Sequence, residues 1–334
     1  MRAYVLNGAN GISSLGISVR PTPEPKRGQI IISMKAWSLN QRDLMVINGN
    51  YNGLQPVNTI PLSDGAGEVV AVGQDVTRFK IGDRVSPTFT GSWVAGTMTA
   101  ADPALSRGAV VDGVLAEFVA CEESLAVHIP SHLNYQEAAC FPCAGVTAWN
   151  ALFGPAPLTC GQTVLTLGTG GVSTFAIQFA ALSGARIIST SSSDEKLDHI
   201  RALGASETIN YRTHPEWEQE VLRLTNGRGV DHVVEVGGGG TLNRSVASTA
   251  VGGQIHMIGA LSGGSLNPRT LLPWKTLRGI MVGSAADHRA MNRMIVHHRI
   301  RPIINRTFKF ENVHDAYQYL ESGSHVGKVV ITSE

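Results

Sequence analysis

The sequence has few cysteines, no cluster of like charges and no long apolar run. Its four cysteines in 334 residues give no disulfide framework, so a reducing cytoplasm is the expected compartment. The 27 basic and 26 acidic residues leave a net charge of +1. Because no basic tail or stripe is present, we do not expect the chain to bind nucleic acid or an anionic membrane. No apolar stretch approaches the roughly 20 residues of a membrane span.

Hydrophobic residues make up 43% of the chain, enough for a substantial core, and the length predicts two domains. Residues 1–128 contain short alternating strands separated by Gly and Pro, which predicts a β-rich domain. From about residue 160, short apolar strands alternate with amphipathic segments. That pattern is typical of a parallel sheet covered by helices on both faces.

The C-terminal part of the chain is expected to divide between these domains. A sixth strand of the parallel sheet is predicted in RGIMVGS, from Arg278, and the last strand, KVVITS from Lys328, is expected to return to the first domain. The first domain is therefore predicted to comprise residues 1–128 and 286–334, and the second to comprise residues 129–285.

A glycine-rich turn follows the first strand of the predicted parallel sheet. Gly168, Gly170 and Gly171 are followed by Val172 and Ser173, in the pattern G-x-G-x-x-S. Such glycines let the backbone turn tightly and approach a pyrophosphate, while the next helix offers free N–H groups at its start. The isolated pattern is also compatible with an ordinary turn. The strand before it and the helix after it favour a dinucleotide site.

The end of the next strand bears on which dinucleotide binds. A fold specific for NAD usually places an acid about 20 residues after the glycine loop. Here Ser191 and Ser192 come first, and Lys196 follows. Hydroxyl donors and an ammonium suit a 2′-phosphate, so NADPH is favoured and NAD remains possible. The acids Asp194 and Glu195 have another explanation, because Ser192 and Glu195 have the spacing of a capping box.

Four segments together resemble the medium-chain dehydrogenase/reductase superfamily, most closely its zinc-free branch of quinone oxidoreductase-like and alcohol dehydrogenase-like proteins. They are IPLSDGAGEVVAVGQDVTRFKIGDRV, AACFPCAGVTAWNAL, VLTLGTGGVS and TSSSDEKL…ALGA…INYR. The resemblance covers essentially the whole chain. It implies an α/β fold with a GroES-like β-rich catalytic domain, a Rossmann doubly wound parallel sheet and an active site in the cleft between them. It also implies a homodimer, formed through strand pairing near 278–284.

The positions at which zinc-dependent members bind their metal are changed in this sequence. The resemblance places them at Asn40, Ser63 and Cys143, with a neighbouring acid kept as Asp64. One thiolate cannot hold a catalytic zinc, which takes three protein ligands, so no metal is predicted. Cys140 and Cys143 form a C-x-x-C at a helix start. A redox role is conceivable for this pair, but Cys143 as the remnant of a metal site fits better.

The resemblance also assigns residues to each part of the site. Asn40 and Tyr51 are the expected catalytic pair, beside the nicotinamide and the substrate. Ser192, Lys196 and Tyr211 are expected at the 2′-phosphate. The residues expected on the nicotinamide side are Thr147, Gly259, Ala260, Leu261, Val282, Gly283 and Ser284.

The leading expectation is therefore a zinc-independent, NADPH-dependent enzyme that transfers a hydride to a quinone, an enone or another activated small substrate. A zinc-independent alcohol dehydrogenase or carbonyl reductase is the alternative within the same class. A non-catalytic NADPH-binding protein is the alternative outside it. No histidine lies in the motifs assigned to the site, so the Ser–His proton relay of zinc alcohol dehydrogenases is not expected.

Overall fold

The chain forms two compact units in the computed structural model, which describes residues 1–51, 56–259, 261–272 and 274–333, with residue 104 described in its backbone only. One unit comprises Met1–Val146 and Gly283–Glu334, and the other comprises Thr147–Val282. This division differs from the predicted boundaries mainly at residues 129–146. These residues belong to the first unit because the short helix within them, Tyr135–Ala138, packs on strands of that unit.

The strands and helices are numbered separately along the described residues. The strands are β1 (Arg2–Asn7), β2 (Leu15–Val19), β3 (Gln29–Leu39), β4 (Val57–Thr59), β5 (Asp64–Val72), β6 (Arg84–Pro87), β7 (Phe118–Glu122), β8 (Ala126–His128), β9 (Thr163–Leu167), β10 (Arg186–Ser191), β11 (Glu207–Asn210), β12 (Val230–Glu235), β13 (Thr249–Met257), β14 (Thr276–Gly279), β15 (Ile304–Lys309) and β16 (Lys328–Thr332). The α-helices are α1 (Gln41–Ile47), α2 (Tyr135–Ala138), α3 (Val146–Phe153), α4 (Gly171–Leu182), α5 (Asp194–Ala202), α6 (Trp217–Leu224), α7 (Gly239–Ala247), α8 (Ala285–His298) and α9 (Val313–Glu321). None of these helices is long and apolar enough to cross a membrane.

The first unit is built around β3, whose side chains are mostly buried. Strand order in its main sheet is β15-β16-β3-β5-β6-β8, with β7 also paired to β3, and a smaller sheet has the order β2-β1-β4. The C-terminal strand β16 pairs antiparallel with β3, as predicted from its return to the first domain. Helix α9 and the two sheets enclose one apolar core that includes Trp37, Phe310 and Tyr317.

The second unit is a parallel sheet with strand order β11-β10-β9-β12-β13-β14. The central strand β9 (TVLTL) is buried along its whole length, which suits a strand covered on both faces. The chain runs outward from β9 in one direction and then resumes at β12 in the other. Right-handed crossovers therefore place α4 and α5 on one face and α6 and α7 on the opposite face. The order reverses between β9 and β12, where ligands bind in open sheets of this kind.

The sixth strand lies earlier than predicted. RGIMVGS overlaps β14 only at Arg278 and Gly279. The ladder to β13 ends there because its last pair joins Met257 to Gly279 and β13 ends at Met257. Beyond it, Val282 has left-handed backbone with φ 50°, and Ser284 already caps α8.

Candidate functional site

A buried polar cluster lies in the first unit where β3 ends and β5 begins. The antiparallel pairing of these strands brings Asn40, which follows β3, close to Asp64. The two carboxylate oxygens of Asp64 accept hydrogen bonds from the Ser63 hydroxyl at 2.8 Å and from the Cys143 N–H at 3.1 Å. Burial raises the pKa of Asp64, while the nearby Lys328 ammonium and the hydrogen bonds lower it. The carboxylate is therefore held on both of its oxygens.

A second buried acid, Asp43, lies in the first turn of α1. Its carboxylate accepts the Asn40 backbone N–H at 2.7 Å and lies 3.4 Å from the Arg42 guanidinium. Burial raises the pKa of Asp43 to about 6, against the opposing effects of Arg42 and of the hydrogen bond. The Arg42 guanidinium is itself buried between the rings of Tyr51 and Phe89, 4.8 and 4.7 Å from their centres. Tyr51 thus packs against the cluster through its ring.

The Asn40 side chain contacts the ammonium of Lys328, the first residue of β16. The Nζ atom donates to Asn40 Oδ1 at 2.5 Å and to the Leu39 carbonyl at 2.7 Å. Asn40 Nδ2 therefore faces away from the ammonium. It is buried and forms no hydrogen bond of good geometry to a described residue, but the Asn40 side chain is close enough to Asp64 for a weak hydrogen bond that lowers the pKa of that carboxyl.

The two thiols of the C-x-x-C motif flank the start of a π-helical segment, Phe141–Gly145. Burial raises the pKa of Cys140 to about 12 and that of Cys143 well above its ordinary range. Because the thiolate is the reactive form of cysteine, this environment opposes the redox role that the motif alone would allow.

The three positions at which the resemblance places zinc ligands all adjoin Asp64, but their side chains do not suit zinc. Asn40 and Ser63 offer an amide and a hydroxyl, and the Lys328 ammonium already occupies the amide oxygen. An ammonium at this distance also repels a divalent cation. Across the described ranges, no three or more His, Cys, Asp or Glu side chains form a group that could hold a metal ion. The donor set of this cluster does not fit a catalytic zinc.

The predicted glycine loop of the second unit joins β9 to α4, beside the point where the strand order reverses. Gly168 has φ +70°, and a Cβ at Gly168 or Gly170 would meet no atom within 4 Å. The backbone of the loop is therefore open to a pyrophosphate, and the partly exposed Gly171 and Val172 begin the helix. Ser173 is buried, and its hydroxyl donates to the last carbonyl of β9 at 2.7 Å. This hydrogen bond ties the helix to the strand.

The predicted 2′-phosphate residues lie after the carboxyl ends of β10 and β11. Ser191 ends β10, and its carbonyl accepts the Tyr211 N–H at 2.9 Å. Ser192 forms the bend that leads into α5. Burial, followed by the charge of Arg212, lowers the pKa of Lys196. A dianion bound here would relieve the repulsion between these two cations.

The start of α5 corrects the predicted capping box. The capping residue is Ser193, whose Oγ accepts the Lys196 N–H at 3.5 Å, and not Ser192. Ser192 is taken up by the bend after β10, so Ser193 is the last residue with extended backbone, at φ −141° and ψ 130°. The Asp194 carboxylate accepts the Asn210 amide at 2.9 Å and is thereby turned toward β11.

Several predicted cofactor residues lie elsewhere in the second unit. Thr147 is buried in α3. Gly259 packs so closely that a Cβ there would lie 1.7 Å from the Val236 carbonyl oxygen. Leu261 is exposed, and Ala260 lies outside the described residues.

The predicted residues at 282–284 are partly occupied by local contacts. The Val282 carbonyl accepts the Asn150 amide at 2.6 Å, and Gly283 is buried. The Ser284 N–H and hydroxyl both donate to the Asp287 carboxylate, at 2.8 and 2.7 Å, in the capping box of α8. These contacts use polar groups of Val282 and Ser284, two of the residues that the resemblance places on the nicotinamide side.

A buried acid that was not predicted organises the turn after β12. One carboxylate oxygen of Glu235 accepts the N–H groups of Gly237 and Gly238 and the Thr241 hydroxyl, at 2.7, 3.0 and 2.7 Å. Its other oxygen accepts the Ser245 hydroxyl. This carboxylate holds a glycine-rich turn in place at the carboxyl end of the sheet, next to the reversal of strand order.

Comparisons with known proteins agree with this architecture. The family model described as alcohol dehydrogenase GroES-like domain matches residues 26–131, and that described as zinc-binding dehydrogenase matches residues 171–297. A zinc-type alcohol dehydrogenase-like protein of Schizosaccharomyces pombe is 41% identical over 313 residues, which cover 91% of this chain and 90% of that protein. The chain belongs to the medium-chain dehydrogenase/reductase superfamily.

Two further relatives of this chain are described by different activities, one as an alcohol dehydrogenase and one as a quinone oxidoreductase homolog. A crystal structure of an NAD-dependent alcohol dehydrogenase has a TM-score of 0.91 and 32% identity, covering 100% of both chains. A chloroplast envelope quinone oxidoreductase homolog of Arabidopsis thaliana is 27% identical and covers 97% of this chain and 94% of its own length. Membership in the superfamily confirms the predicted GroES-like and Rossmann architecture and makes this chain an NAD(P)-dependent oxidoreductase.

Four charged residues of this superfamily member were missed by the sequence analysis: Lys328, Arg42, Arg212 and Glu235. Lys328 and Glu235 each carry a signal, since each charge stands directly beside an apolar run of a strand, VVI after Lys328 and VV before Glu235, and such a position points to a buried partner. Arg212 follows Tyr211 directly in a segment that was already assigned to the 2′-phosphate. Arg42 carries no signal, because only the folded chain stacks it between two aromatic rings.

Proposed function

We propose that this protein is a zinc-independent, NADPH-dependent oxidoreductase that transfers a hydride to a quinone, an enone or another activated small substrate. The proposal rests chiefly on the buried cluster of the first unit, in which the Lys328 ammonium contacts Asn40, one of the positions assigned to zinc ligands. A reduced substrate oxygen gains negative charge, and preorganised donors stabilise such charge strongly. The Asn40 amide, whose oxygen is held by the ammonium, is a donor suited to that task.

The bound dinucleotide would supply the hydride. Asn40 Nδ2 would donate to the substrate oxygen, since this buried atom forms no hydrogen bond of good geometry to a described residue and is at most weakly bonded to Asp64. The Tyr51 hydroxyl would provide a second donor and a route for a proton, while Arg42 beneath its ring keeps the ring in place. The glycine loop after β9, from Gly168 to Val172, would bind the pyrophosphate.

The preference for NADPH is supported by the charges at the end of β10. Arg212 lies close enough to Lys196 for its charge to lower the pKa of that ammonium, and Ser191 and Ser192 come shortly before Lys196 in the chain. The nearest acid after the strand, Asp194, is turned toward Asn210. We propose that NADH also binds, with lower affinity, because the solved alcohol dehydrogenase that is 32% identical to this chain is described as NAD-dependent.

A zinc-independent alcohol dehydrogenase or carbonyl reductase is the second candidate. It is favoured by the names of two relatives, the Schizosaccharomyces pombe protein and the solved NAD-dependent enzyme. Reduction of a C=C bond needs a proton at the α-carbon, and reduction of a C=O bond needs one at oxygen. The same donors would serve both reactions, so the choice depends on the substrate.

We also propose a homodimer, formed through the edge strand β14. Among the residues that the structure describes, this strand pairs with β13 alone, and the exposed Leu272 and Trp274 precede it. An open edge beside exposed apolar side chains is suited to strand pairing with a second copy. For the compartment, we keep the reducing cytoplasm as our proposal.

The test is a substrate screen that follows NADPH and NADH absorbance with quinones, enones, aldehydes and alcohols side by side. We expect turnover with NADPH and an activated C=C or quinone substrate, undiminished by chelators, from protein without stoichiometric zinc by elemental analysis. Aldehydes or alcohols as the best substrates would favour the second candidate. One tightly bound zinc per chain, with activity lost to chelators, would refute zinc independence.

A further inference from the structure

Lys328 is a buried cation whose position follows from strand pairing. Because β16 pairs antiparallel with β3, with Val329 opposite Leu39, Lys328 lies at the end of β3 although it is 288 residues from Asn40 in the chain. Lysines are rarely buried this fully unless they are paired, and this one is 2% exposed. Its burial therefore calls for a specific partner.

The hydrogen bonds of the ammonium identify that partner. The carboxyls of Asp43 and Asp64 are both buried, and the Lys328 charge lowers the pKa of each against the rise caused by burial. The hydrogen bonds nevertheless go to two neutral oxygens, the Leu39 carbonyl and the Asn40 amide oxygen. A lysine that served only to balance the acids would hydrogen-bond to a carboxylate.

We infer that Lys328 is the positioning residue of this site: its ammonium holds Asn40 Oδ1, so that the Nδ2 donor is presented to the substrate oxygen. This inference rests on the proposed function, which makes Asn40 the donor. An ammonium can only donate, so it selects one of the two orientations of the amide. The reversed amide would present an acceptor to the substrate oxygen and repel it. Lys328 thus affects turnover through Asn40.

A double-mutant cycle tests the inference, with Asn40→Ala, Lys328→Met and the combined variant assayed with NADPH and the best substrate. We expect each single change to lower kcat by about tenfold or more, with the KM for NADPH unchanged. The combined variant should match Asn40→Ala, because residues that act as one unit are not additive. Losses that multiply in the combined variant, or full turnover in either single variant, overturn the inference.

Two further variants separate positioning from charge balance. Lys328→Met leaves Asp64 without its nearby cation, so the variant Lys328→Met/Asp64→Asn removes both charges and protects the fold. It should keep the kcat loss of Lys328→Met. Restored turnover would mean that Lys328 only balances Asp64. The matched control is Lys309→Met, which removes an exposed lysine of β15 and should leave turnover unchanged.

A final readout does not depend on turnover. In Lys328→Met, the NMR side-chain amide resonances of Asn40 should shift, and a crystal structure should show the amide rotated. An unchanged Asn40 amide overturns the inference even where no substrate has been found. The proposed function fails separately, when the wild-type protein oxidises NADPH with none of the quinones, enones or carbonyl compounds.

Discussion

At the scale of single residues, the proposed preference for NADPH depends on two cations that follow β10 and β11, Lys196 and Arg212. Burial and the neighbouring Arg212 both lower the pKa of Lys196, and Glu195 only partly offsets them. The ammonium is therefore less stable in the free protein than it would be beside a dianion. A 2′-phosphate would remove the repulsion and accept hydrogen bonds from both cations.

We expect Lys196→Ala to weaken NADPH binding by about 1.5–3 kcal/mol, tenfold to more than a hundredfold, with little effect on NADH. Dissociation constants from the fluorescence of each cofactor measure this. Arg201→Ala is the matched control, because Arg201 lies in the same helix, is exposed and pairs with Asp198. Equal losses for both cofactors would mean that Lys196 does not contact the phosphate.

Phenylalanine at position 51 keeps the ring against Arg42 and removes only the hydroxyl, including its contact with that guanidinium. We expect Tyr51→Phe to lower kcat by about tenfold with NADPH binding nearly unchanged. The control is Tyr135→Phe, because the Tyr135 ring packs on Arg84 at a similar distance, 4.7 Å. Full turnover in Tyr51→Phe would limit Tyr51 to lining the pocket.

At the scale of elements, two loops of the second unit lie where the strand order reverses, one after β9 and one after β12. The loop after β9 leaves its backbone open, whereas the turn after β12 is held by the Glu235 carboxylate. An open loop beside a fixed turn is suited to binding a ligand whose position must be defined. The glycines of this region therefore serve two purposes. Gly170 leaves room for a ligand to approach the backbone, and Gly259 allows the chain to pack closely.

Two glycine substitutions separate these purposes. A Cβ at Gly170 meets nothing and its backbone is not left-handed, so Gly170→Ala should keep the melting temperature while weakening NADPH binding at least about tenfold. At Gly259 a Cβ would lie 1.7 Å from the Val236 carbonyl, so Gly259→Ala should lower stability by about 1–3 kcal/mol or more. Thermal unfolding and cofactor titration measure both. Unchanged NADPH affinity in Gly170→Ala would count against this loop as the pyrophosphate site.

At the scale of the whole molecule, buried histidines make stability depend on pH. Burial lowers the pKa of His288 and of His256 from 6.5 to about 3. In the unfolded chain each takes up a proton near its ordinary pKa, so their contribution to stability is present above pH 6.5 and is lost as pH falls. Asp43 acts in the opposite sense, because burial raises its pKa to about 6 and protonation then favours the folded state.

We expect the free energy of unfolding to decrease as the pH is lowered from 6.5, by at most about 1.4 kcal/mol per pH unit for each histidine. Protonation of Asp43 in the folded state partly offsets this decrease. His288→Gln should make the unfolding free energy depend less steeply on pH, as measured by urea titrations at several pH values over about two units, from 6.5 to 4.5. The exposed His297→Gln is the control. Identical slopes in His288→Gln and wild type would show that His288 titrates alike in both states.

The proposed dimer is a second property of the whole molecule. Trp274 and Leu272 are 79% and 73% exposed before β14. We expect light scattering to give twice the 35.5 kDa chain mass for the wild type, and the chain mass itself for Trp274→Glu/Leu272→Glu. Val19→Glu, which changes an exposed apolar residue of the first unit, should stay dimeric. A wild-type monomer would rule out the dimer, and a dimeric double variant would place its interface elsewhere.

Local pattern was sufficient to predict the parallel sheet, the glycine loop and the returning C-terminal strand. Each depends on periodicity or on residues adjacent in the chain, which are visible without a fold. The start of α5 and the end of β14 were displaced by one to a few residues, because the length of a neighbouring strand decides where each element begins or ends. The ends of these elements are set by strand pairing and not by the secondary-structure propensity of their residues.

The sequence by itself determined the superfamily, the dinucleotide fold and the residue types at the positions assigned to zinc ligands. Only the tertiary structure decided what those residues do. The antiparallel pairing of β16 with β3 brings the Lys328 ammonium to Asn40 across 288 residues, and the pairing of β3 with β5 adds Asp64. The stability of a buried charge depends on all the groups that surround it. Here those groups come from distant strands, so they cannot be predicted from a local sequence pattern.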